Sequence, residues 1–388
     1  MTIFTVKDNS TEAEFLKVPA LIYQDDYQWI HPLESDIRSV FDPQKNKFFR
    51  FGKIERWVLF NQHEEPIGRI AAFTYKKYRN KGDTIPVGGI GFFECINHQE
   101  AADLLFDNAR HWLIQQGMQA MDGPINFGER DKWWGLLVEG YHSPLYGMNY
   151  NPPYYATLFE HYGFRPFYDQ ICMGLDLTKP LSARISERHA LIAKDANFSA
   201  RHIQKNDLKT FAVHFTEVYN KAWAGHGGMK ELSYEHAFQM FKKMKPVMDE
   251  RIIWFAYHND KPVAMFINLP DINRWFKQLK GKMGIWQKLQ FLWLKYTVKN
   301  TKMVGLVFGV IPEFQGKGVD SYIIHEAKSF FEQKTPEYAD FEMQWIGDFN
   351  PKMLNIARTL GDTFVSRKLT TYRYLFDRTA PFERHPFF

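Results

Sequence analysis

A glycine-containing segment in the second half of the chain has the residue types of an anion-binding loop. It reads Val310-Ile-Pro-Glu-Phe-Gln-Gly-Lys-Gly-Val-Asp320 and joins an apolar strand pattern to an amphipathic helix pattern. A short glycine loop there points successive backbone N–H groups into one concavity, and the positive end of the helix dipole adds to the field. Gly316 and Gly318 let the backbone approach phosphate oxygens, and Lys317 adds a positive charge. The segment therefore predicts a diphosphate-binding loop.

Two other glycine-rich phosphate motifs fit this segment less well. A P-loop needs Gly-x-x-x-x-Gly-Lys-Ser/Thr, but Ile311 stands where its first glycine would be, and Lys317 is followed by glycine. A dinucleotide-binding turn needs a third glycine, which the residues after Gly318 do not supply. An ordinary tight turn between a strand and a helix is the remaining alternative for the loop alone.

The elements around this loop occur twice. Pro66 and Pro262, about 200 residues apart, each lie at a polar turn between two apolar strand patterns. Asn151-Pro152 and Asn350-Pro351, at a similar offset, each open a helical pattern with Asn at the N-cap and Pro at the first position. Two landmarks in the same order at nearly the same spacing predict two copies of one fold.

Each copy reads as helix, hairpin, strand, helix, strand, helix, strand. This order predicts an α/β (α+β) protein with a mixed sheet flanked by helices. The linker is expected within 178–197, where Lys179-Pro180 breaks the pattern. The predicted domains are therefore residues 1–178 and 198–388, each of ordinary domain size.

The strand, loop and helix resemble the coenzyme A pyrophosphate loop of the GCN5-related N-acetyltransferase superfamily, written Gln/Arg-x-x-Gly-x-Gly/Ala. Gln315 and Gly318 match that pattern, whereas Asp320 stands where it has Gly or Ala. The resemblance implies acetyl-CoA or acyl-CoA as co-substrate. The residues that it assigns to the cofactor are Val310, Ile311, Gln315, Gly316, Lys317, Gly318 and Val319.

The repeated order of elements resembles that superfamily as well, in its uncharacterised bacterial tandem form. Gly123-Pro-Ile-Asn-Phe127 and Tyr150-Asn-Pro-Pro-Tyr-Tyr155 look like the first-half signature, and Trp345-Ile-Gly-Asp-Phe-Asn-Pro351 looks like the second-half signature. The resemblance implies two tandem acyl-CoA N-acyltransferase-like domains. Because the first copy continues as Asn97-His-Gln-Glu100 without Gly-x-Gly, we expect one cofactor site, in the second half, and a degenerate loop in the first.

Acyl transfer to an amine needs a held acyl group, N–H donors for the carbonyl oxygen, and a base for the amine. The resemblance implies that the strand before the loop polarises the thioester, so that no covalent nucleophile is needed. Glu342 and Asp348 are the candidate catalytic residues by position, with Glu313 a further one. Solvated carboxylates or helix caps are the plain alternative. The tyrosine acid common in the superfamily has no clear counterpart after Asn350.

Aromatic side chains provide the candidate substrate contacts. A long aromatic segment, 128–142, lies between two elements of the first copy, and long loops in compact domains are often functional. The aromatic side chains of this segment could equally line a substrate cleft or pack in the core. The candidate substrate-binding residues are Trp133, Trp134, Tyr141, Trp345 and Asn350.

The segment 274–302 is rich in lysine and tryptophan. On a helix its apolar and basic side chains separate onto two faces, Trp286, Leu289 and Trp293 on one and Lys288, Lys295 and Lys299 on the other. A basic amphipathic helix in weak contact with a membrane surface, or with an anionic acyl substrate, is the functional interpretation. An inserted helix packed on the domain, with solvated lysines, is the favoured one.

Composition sets the remaining limits. The chain has 388 residues, a net charge of +5 and 17% aromatic residues, which favours a small anionic ligand over nucleic acid. Two cysteines, Cys95 and Cys172, do not make a disulfide framework, and no metal site is predicted. We see neither a secretory signal nor an apolar run long enough to span a membrane, so a cytoplasmic location is expected.

The leading function is an acyl-CoA-dependent N-acyltransferase that transfers an acetyl or longer acyl group to an unidentified small amine. Asp320 and the missing tyrosine motivate an alternative, a non-catalytic protein that binds acyl-CoA or another anionic metabolite. The tandem arrangement motivates a third, a peptidyl-type transferase using aminoacyl-tRNA, against which the modest charge argues.

Overall fold

The computed structural model describes residues 1–223 and 231–387, and its strands form one large mixed sheet. The first copy comprises β1 Thr2–Thr5, α1 Asn9–Ile22, α2 Glu34–Phe41, β2 Gly52–Phe60, β3 Pro66–Tyr75, β4 Val87–Cys95, α3 Gln99–Gln115, β5 Ala120–Gly123, β6 Leu136–Glu139, α4 Tyr154–Tyr162 and β7 Arg165–Asp176. The linker holds α5 Ala183–Ile192. The second copy comprises β8 Phe198–His202, α6 Leu208–Trp223, α7 Tyr234–Met244, β9 Ile253–His258, β10 Lys261–Pro270, α8 Asn273–Phe276, α9 Ile285–Thr297, β11 Lys302–Val310, α10 Val319–Lys334, β12 Asp340–Met343, β13 Ile346–Gly347, α11 Pro351–Arg358 and β14 Thr363–Leu375.

The predicted α/β class and the repeated order of elements are confirmed. In each copy an antiparallel hairpin precedes a strand, a crossover helix and a parallel partner strand. Two of the predicted caps form locally: Gly163 ends α4 in the left-handed conformation, and Asn350 caps α11. The predicted Asn151 cap is wrong, because α4 begins at Tyr154 and Asn151 Oδ1 accepts from the Leu137 amide instead. Buried apolar side chains of α3 and α4 form the core of the first copy, and those of α6 and α10 form the core of the second.

The two copies exchange their last strands. β14, from the end of the chain, inserts between β5 and β7, and β7 in turn lies beside β12 of the second copy. Each half of the sheet is therefore completed by a strand from the other half. The predicted segments 1–178 and 198–388 consequently share one continuous sheet.

Buried ion pairs tie the exchanged strand β14 to both copies. Arg373 donates to Asp122 on β5 at 2.6 and 2.8 Å, and Arg367 donates to Glu342 on β12 at 2.6 Å. All four side chains are buried. A buried guanidinium needs such partners, so the position of β14 is specified by charge as well as by backbone pairing.

Each copy contains a place where two parallel strands diverge. β4 pairs with β5 only from Val87 to Gly89, followed by one more bond from Ile125 N to Ile90 O. β11 pairs with β12 only as far as Gly305, followed by Gln344 N to Gly305 O. Beyond these points the strands separate, leaving one backbone edge of each carboxyl-terminal segment facing a gap.

The two gaps lie at opposite ends of the sheet. Four strands lie between β4 and β11 in the sheet, in the order β5, β14, β7 and β12. β4 is parallel to β5, and β12 is parallel to β11. The three pairings between them, β5 with β14, β14 with β7, and β7 with β12, are antiparallel. Three antiparallel steps make β4 and β11 run in opposite directions. Five strand spacings of about 4.8 Å put them roughly 24 Å apart.

Candidate functional site

The predicted diphosphate loop has the expected backbone form. The Gln315 side chain donates to the Val310 carbonyl at 2.9 Å, which fixes the turn before the helix. Gly316 and Gly318 both have positive φ, 72° and 90°, which glycine adopts without strain. A Cβ at Gly316 would meet nothing within 4 Å, so the outer side of the loop is open. The loop can therefore admit an anion at the amino end of α10.

The charged side chains of this loop have partners nearby. Asp320, the residue that departs from the superfamily pattern, faces Arg188 of α5, with Oδ2 4.0 Å from Nη1. The Lys317 ammonium lies 5.6 Å from the Phe314 ring centroid. Ile311 and Val319 are buried in the core and contribute only backbone to the loop. The charge of Asp320 is thus offset by Arg188 on the linker helix.

A cavity of about 70 Å³ lies at the other gap, where β4 leaves β5. That volume is several times what one water molecule needs. Its lining is mostly aromatic and apolar and comes from β4, the loop after α1, the loop between β5 and β6, and the loop before α4. It includes Trp29, Ile30, Phe92, Trp133, Met148 and Tyr150. Polar side chains also line it: Arg69, Glu94, Asn149, Asn151 and Tyr155.

A buried carboxylate forms the centre of the polar lining. Glu94 Oε2 accepts hydrogen bonds from the hydroxyls of Tyr23, at 2.7 Å, and Tyr155, at 2.8 Å. Glu94 Oε1 lies 3.4 Å from Nη2 of Arg69. Tyr155 in turn accepts from the Cys95 amide at 2.8 Å, which fixes its ring. These contacts connect β3, β4, α4 and the residue after α1.

The electrostatics of this group differ from those of an ordinary ion pair. Burial raises the pKa of Glu94, and the charge of Arg69 and the two tyrosine hydroxyls only partly oppose that effect. Burial and the neighbouring Glu94 raise the pKa values of Tyr23 and Tyr155 well above their usual range, so both remain proton donors. Arg69 Nε is buried without a hydrogen-bond partner among the described residues. The cavity thus combines a basic carboxylate, a neutral acid and a spare N–H donor.

The equivalent positions of the second copy are apolar. In the first copy, Gly68 and Arg69 of β3 lie opposite Cys95 and Glu94 of β4. In the second copy, Ala264 and Met265 of β10 lie opposite Val310 and Gly309 of β11 in the same way. Gly309 therefore corresponds to Glu94, and a side chain there would collide with the Trp223 ring. Leu354 of α11, which is buried, has the place of Tyr155 relative to the Asn-Pro landmark. The second copy has the loop without the acid–base pair.

Two known proteins are similar to this chain along most of its length. No protein-family model matches the chain. The bacterial ceramide synthase of Caulobacter vibrioides is 24% identical over 369 residues, 94% of each chain. Protein YghO of Escherichia coli is 26% identical over 357 residues, 89% of this chain and 88% of that one.

Solved structures extend the comparison. A tandem GNAT protein from the clavulanic acid biosynthesis pathway aligns over 98% of this chain and 99% of its own, at 12% identity and a TM-score of 0.53. The chain has the tandem GCN5-related N-acetyltransferase fold. A GCN5-related glucosamine N-acetyltransferase region of a fungal multi-domain β-N-acetylglucosaminidase aligns with a TM-score of 0.54 at 12% identity, over 96% of this chain and 38% of that one.

Within this tandem fold, the predicted base Glu342 is fully engaged by cations. Its carboxylate accepts from Arg367 at 2.6 Å, Lys302 at 3.0 Å and Ser366 at 2.7 Å. Burial favours the protonated form, but these partners outweigh it and lower the pKa of Glu342 to about 2. A carboxylate with so little affinity for a proton is a poor general base, so we assign Glu342 a structural role.

The other predicted catalytic residues lie away from the cavity. Asp348, half-buried after β13, pairs with Arg384 at 2.7 Å, and burial raises its pKa. Glu313 is exposed in the turn before Gln315. Neither side chain lines the cavity between β4 and β5. Their predicted catalytic role in the second copy therefore stays a prediction, separate from this cavity.

Of the five predicted substrate-binding residues, Trp133 lines the cavity. Trp134 is buried and donates its indole N–H to Tyr168 at 2.7 Å. Tyr141 donates to the Leu137 carbonyl, and Trp345 packs on the cluster around Cys172. Asn350 accepts from the Met353 amide as a helix cap. The last four side chains have structural contacts.

Sequence reasoning missed Glu94, Arg69 and Tyr155, although signals for them exist. Glu94 is the single carboxylate in the apolar run Val87–Cys95, and Arg69 interrupts the apolar strand beside it. Charged residues in central strands are rare unless they are paired. Tyr155 ends the Tyr150–Tyr155 signature, at the start of the helix that carries a tyrosine acid in the resembled superfamily.

One group among the described residues has metal-ligand geometry. His189, His325 and Glu326 place their ligand atoms within 4.8 Å of one another where α5 packs on α10. His189 Nε2 already bonds Glu326 at 2.6 Å, and its ring stacks on His325 with centroids 3.9 Å apart. The group packs between α5 and α10, and His325 Nδ1 is buried there without a hydrogen-bond partner among the described residues.

Proposed function

We propose that this protein is an N-acyltransferase whose chemistry takes place in the cavity of the first copy. The observation that carries the proposal is the buried carboxylate Glu94, hydrogen-bonded to Tyr155 in a cavity between diverging strands of an N-acetyltransferase fold. The activated acyl group would come from acyl-CoA, used as co-substrate. The gap beside β4 exposes a backbone edge suited to an extended thioester arm.

Glu94 and Tyr155 divide the proton transfers of this reaction between them. The raised pKa of Glu94 makes it a stronger base for the attacking amine, while Tyr155 keeps its proton for the departing sulfur. As the amide C–N bond forms and the C–S bond breaks, Glu94 takes the amine proton and Tyr155 protonates the sulfur. Their 2.8 Å hydrogen bond then lets Glu94 return a proton to Tyr155. The cycle closes without any other group.

The acceptor that we propose is a long-chain amino alcohol, such as a sphingoid base. Support comes from the bacterial ceramide synthase, which is similar along 94% of both chains, because a ceramide is an N-acylated long-chain amino alcohol. The aromatic and apolar lining of the cavity suits such a chain, and Glu94 suits its amine head.

The loop around Gly316 is a second candidate acyl-CoA site. It cannot serve the same molecule as Glu94, because the two lie at opposite ends of the sheet. We therefore keep Val310–Val319 as a separate binding site for the anionic part of acyl-CoA in the second copy. Its role is tested independently of the cavity.

Thiol release from acyl-CoA tests the proposed function. The assay pairs acetyl-, octanoyl- and palmitoyl-CoA with an amine panel that contains sphinganine. We expect turnover with at least one pair and a loss of about 100-fold or more in kcat for Glu94→Gln and Tyr155→Phe. Glu100→Gln, an exposed carboxylate on α3, is the matched control and should behave as the native chain does.

The alternative, an acyl-CoA-binding protein without catalysis, rests on the apolar positions Gly309 and Leu354 beside the intact loop. It predicts acyl-CoA binding that Lys317→Glu weakens, with no thiol release for any amine in the panel. Turnover that depends on Glu94 would exclude it.

A further inference from the structure

An exposed apolar stripe lies on α9, the main helix of an insertion between β10 and β11. Six large apolar or aromatic side chains of this 13-residue helix face solvent: Ile285, Trp286, Leu289, Leu292, Trp293 and Tyr296. Trp286 is 79% exposed, Trp293 62% and Tyr296 88%. Their spacing of three and four residues puts them on one face. Scattered exposed apolar residues are ordinary, but a contiguous stripe marks a contact surface.

The opposite face of α9 is already packed. Phe291 and Leu294 are buried, and the Phe291 ring lies 5.9 Å from Trp275 and 5.6 Å from Phe276. The interpretation of α9 as a helix packed on the domain is therefore correct for the face that carries Phe291 and Leu294, but not for the exposed face. The exposed stripe is not needed to attach the helix to the fold.

The charges around the stripe have one sign. Residues 272–302 contain eight Lys and Arg residues and no Asp or Glu. Lys288 is exposed beside the stripe, Lys299 is exposed just after the helix, and Lys280 and Lys282 are exposed just before it. An apolar face with Trp and Tyr and a lysine flank fits a helix that lies in the interface of an anionic bilayer. Lysine is depleted in protein–protein interfaces, which argues against a second copy as the occupant.

The insertion is anchored to the loops that line the cavity. The Asn273 side chain donates to the Pro144 carbonyl at 2.8 Å, and the Glu34 amide donates to the Gly281 carbonyl at 2.9 Å. Pro144 and Pro32 both line the cavity. The stripe thus belongs to the same end of the sheet as Glu94.

We propose that the exposed face of α9 docks this protein on the surface of an anionic phospholipid bilayer. Ile285, Trp286, Leu289, Leu292, Trp293 and Tyr296 enter the headgroup region, and the flanking lysines contact lipid phosphates. No helix among the described residues is long and apolar enough to span the bilayer. A helix that lies in the headgroup region docks the protein peripherally, and this docking does not depend on the proposed acyl transfer.

Vesicle flotation with the full-length chain tests this proposal. The probes are vesicles of phosphatidylcholine alone and of phosphatidylcholine with 30% phosphatidylglycerol. We expect the native chain to float with the anionic vesicles and Trp286→Glu/Trp293→Glu to bind at least 10-fold more weakly. Leu191→Glu, which changes a 66% exposed leucine on α5, is the matched control and should bind normally. Lys288→Gln/Lys299→Gln should weaken binding about fivefold per lysine.

Any of three results would overturn the proposal. The first is no flotation of the native chain with either vesicle, and the second is equal flotation of the tryptophan variant and the Leu191 control. The third is a native dimer that does not bind vesicles and that the tryptophan variant converts to a monomer in sedimentation velocity, which would make the stripe an interface between copies. Circular dichroism establishes that each variant is folded.

Discussion

Two buried glutamates in this protein have opposite proton affinities for identifiable reasons. Glu94 accepts from two neutral hydroxyls and has one cation 3.4 Å away, so burial dominates and its pKa rises. Glu342 lies between two cations, Arg367 and Lys302, and its pKa falls to about 2. Burial alone therefore does not identify a base. The number and distance of the cations decide which buried carboxylate has the higher proton affinity.

The rate of acyl transfer should depend on the ionisation of Glu94. Because its pKa is raised, the carboxylate form disappears as pH falls through a value above the ordinary 4.5, and kcat/KM should fall with it. A pH–rate profile of the native chain, compared with the residual activity of Glu94→Gln, measures this limb. In the variant, only the ionisation of the amine substrate should still change the rate with pH. Superimposable profiles would remove Glu94 from the base role.

The Glu342 pair should stabilise the fold in a pH-dependent way. A folded pKa of about 2 below an ordinary value of 4.5 gives stability that is fully present above pH 4.5 and is lost as pH falls toward 2. We expect Glu342→Gln to lower the free energy of unfolding at pH 7 by on the order of 3 kcal/mol. Urea titrations at pH 7, 4 and 3 should show the difference shrinking with acidity. The exposed Glu313→Gln serves as control, and a pH-independent difference would contradict the prediction.

At the level of elements, the strand exchange makes each half dependent on the other. A fragment of residues 1–180 has β7 without its neighbours β14 and β12, and a fragment of residues 181–388 has β14 without β5 and β7. Unpaired long strands expose a row of backbone groups and aggregate. We expect each fragment to be insoluble alone and the co-expressed pair to form a soluble 1:1 complex, seen by size-exclusion chromatography. A soluble, folded single fragment would contradict this.

The sequence predicted the elements better than their partners. The Pro66 and Pro262 turns and the Asn-Pro helix starts are local signals, so the duplication and the order of elements followed from them. The exchange of β7 and β14 could not be predicted, because both copies have the same strand pattern. Hydrophobic periodicity indicates which face of a strand is buried, but it does not indicate which strand lies beside it. The loop at Gly316 was found because its residues are contiguous. The pairing of Glu94 with Tyr155 joins positions 61 apart and needed the fold.

Across the whole molecule the two copies have kept different parts of one kind of site. The first has the proposed acid–base pair, Glu94 and Tyr155, and lacks a glycine loop. The second has Gly316 and Gly318, with Gly309 and Leu354 in place of the pair. The lysine-rich insertion of the second copy lies against the loops around the first copy's cavity. Strand β14 and the lysine-rich insertion both come from the second half, so the first copy's site depends on residues of both halves.

The separation of loop and cavity predicts independent effects of mutation. Sites roughly 24 Å apart without shared partners change free energies additively. We expect Lys317→Glu to weaken CoA binding at the loop, measured by calorimetry, while leaving kcat within about twofold. Glu94→Gln should lower kcat and leave CoA binding at the loop unchanged. The double variant should show the full loss of kcat and the full loss of CoA binding. If Lys317→Glu instead abolished turnover as completely as Glu94→Gln does, the loop would hold the reacting acyl-CoA and the catalytic site would have to be sought in the second copy.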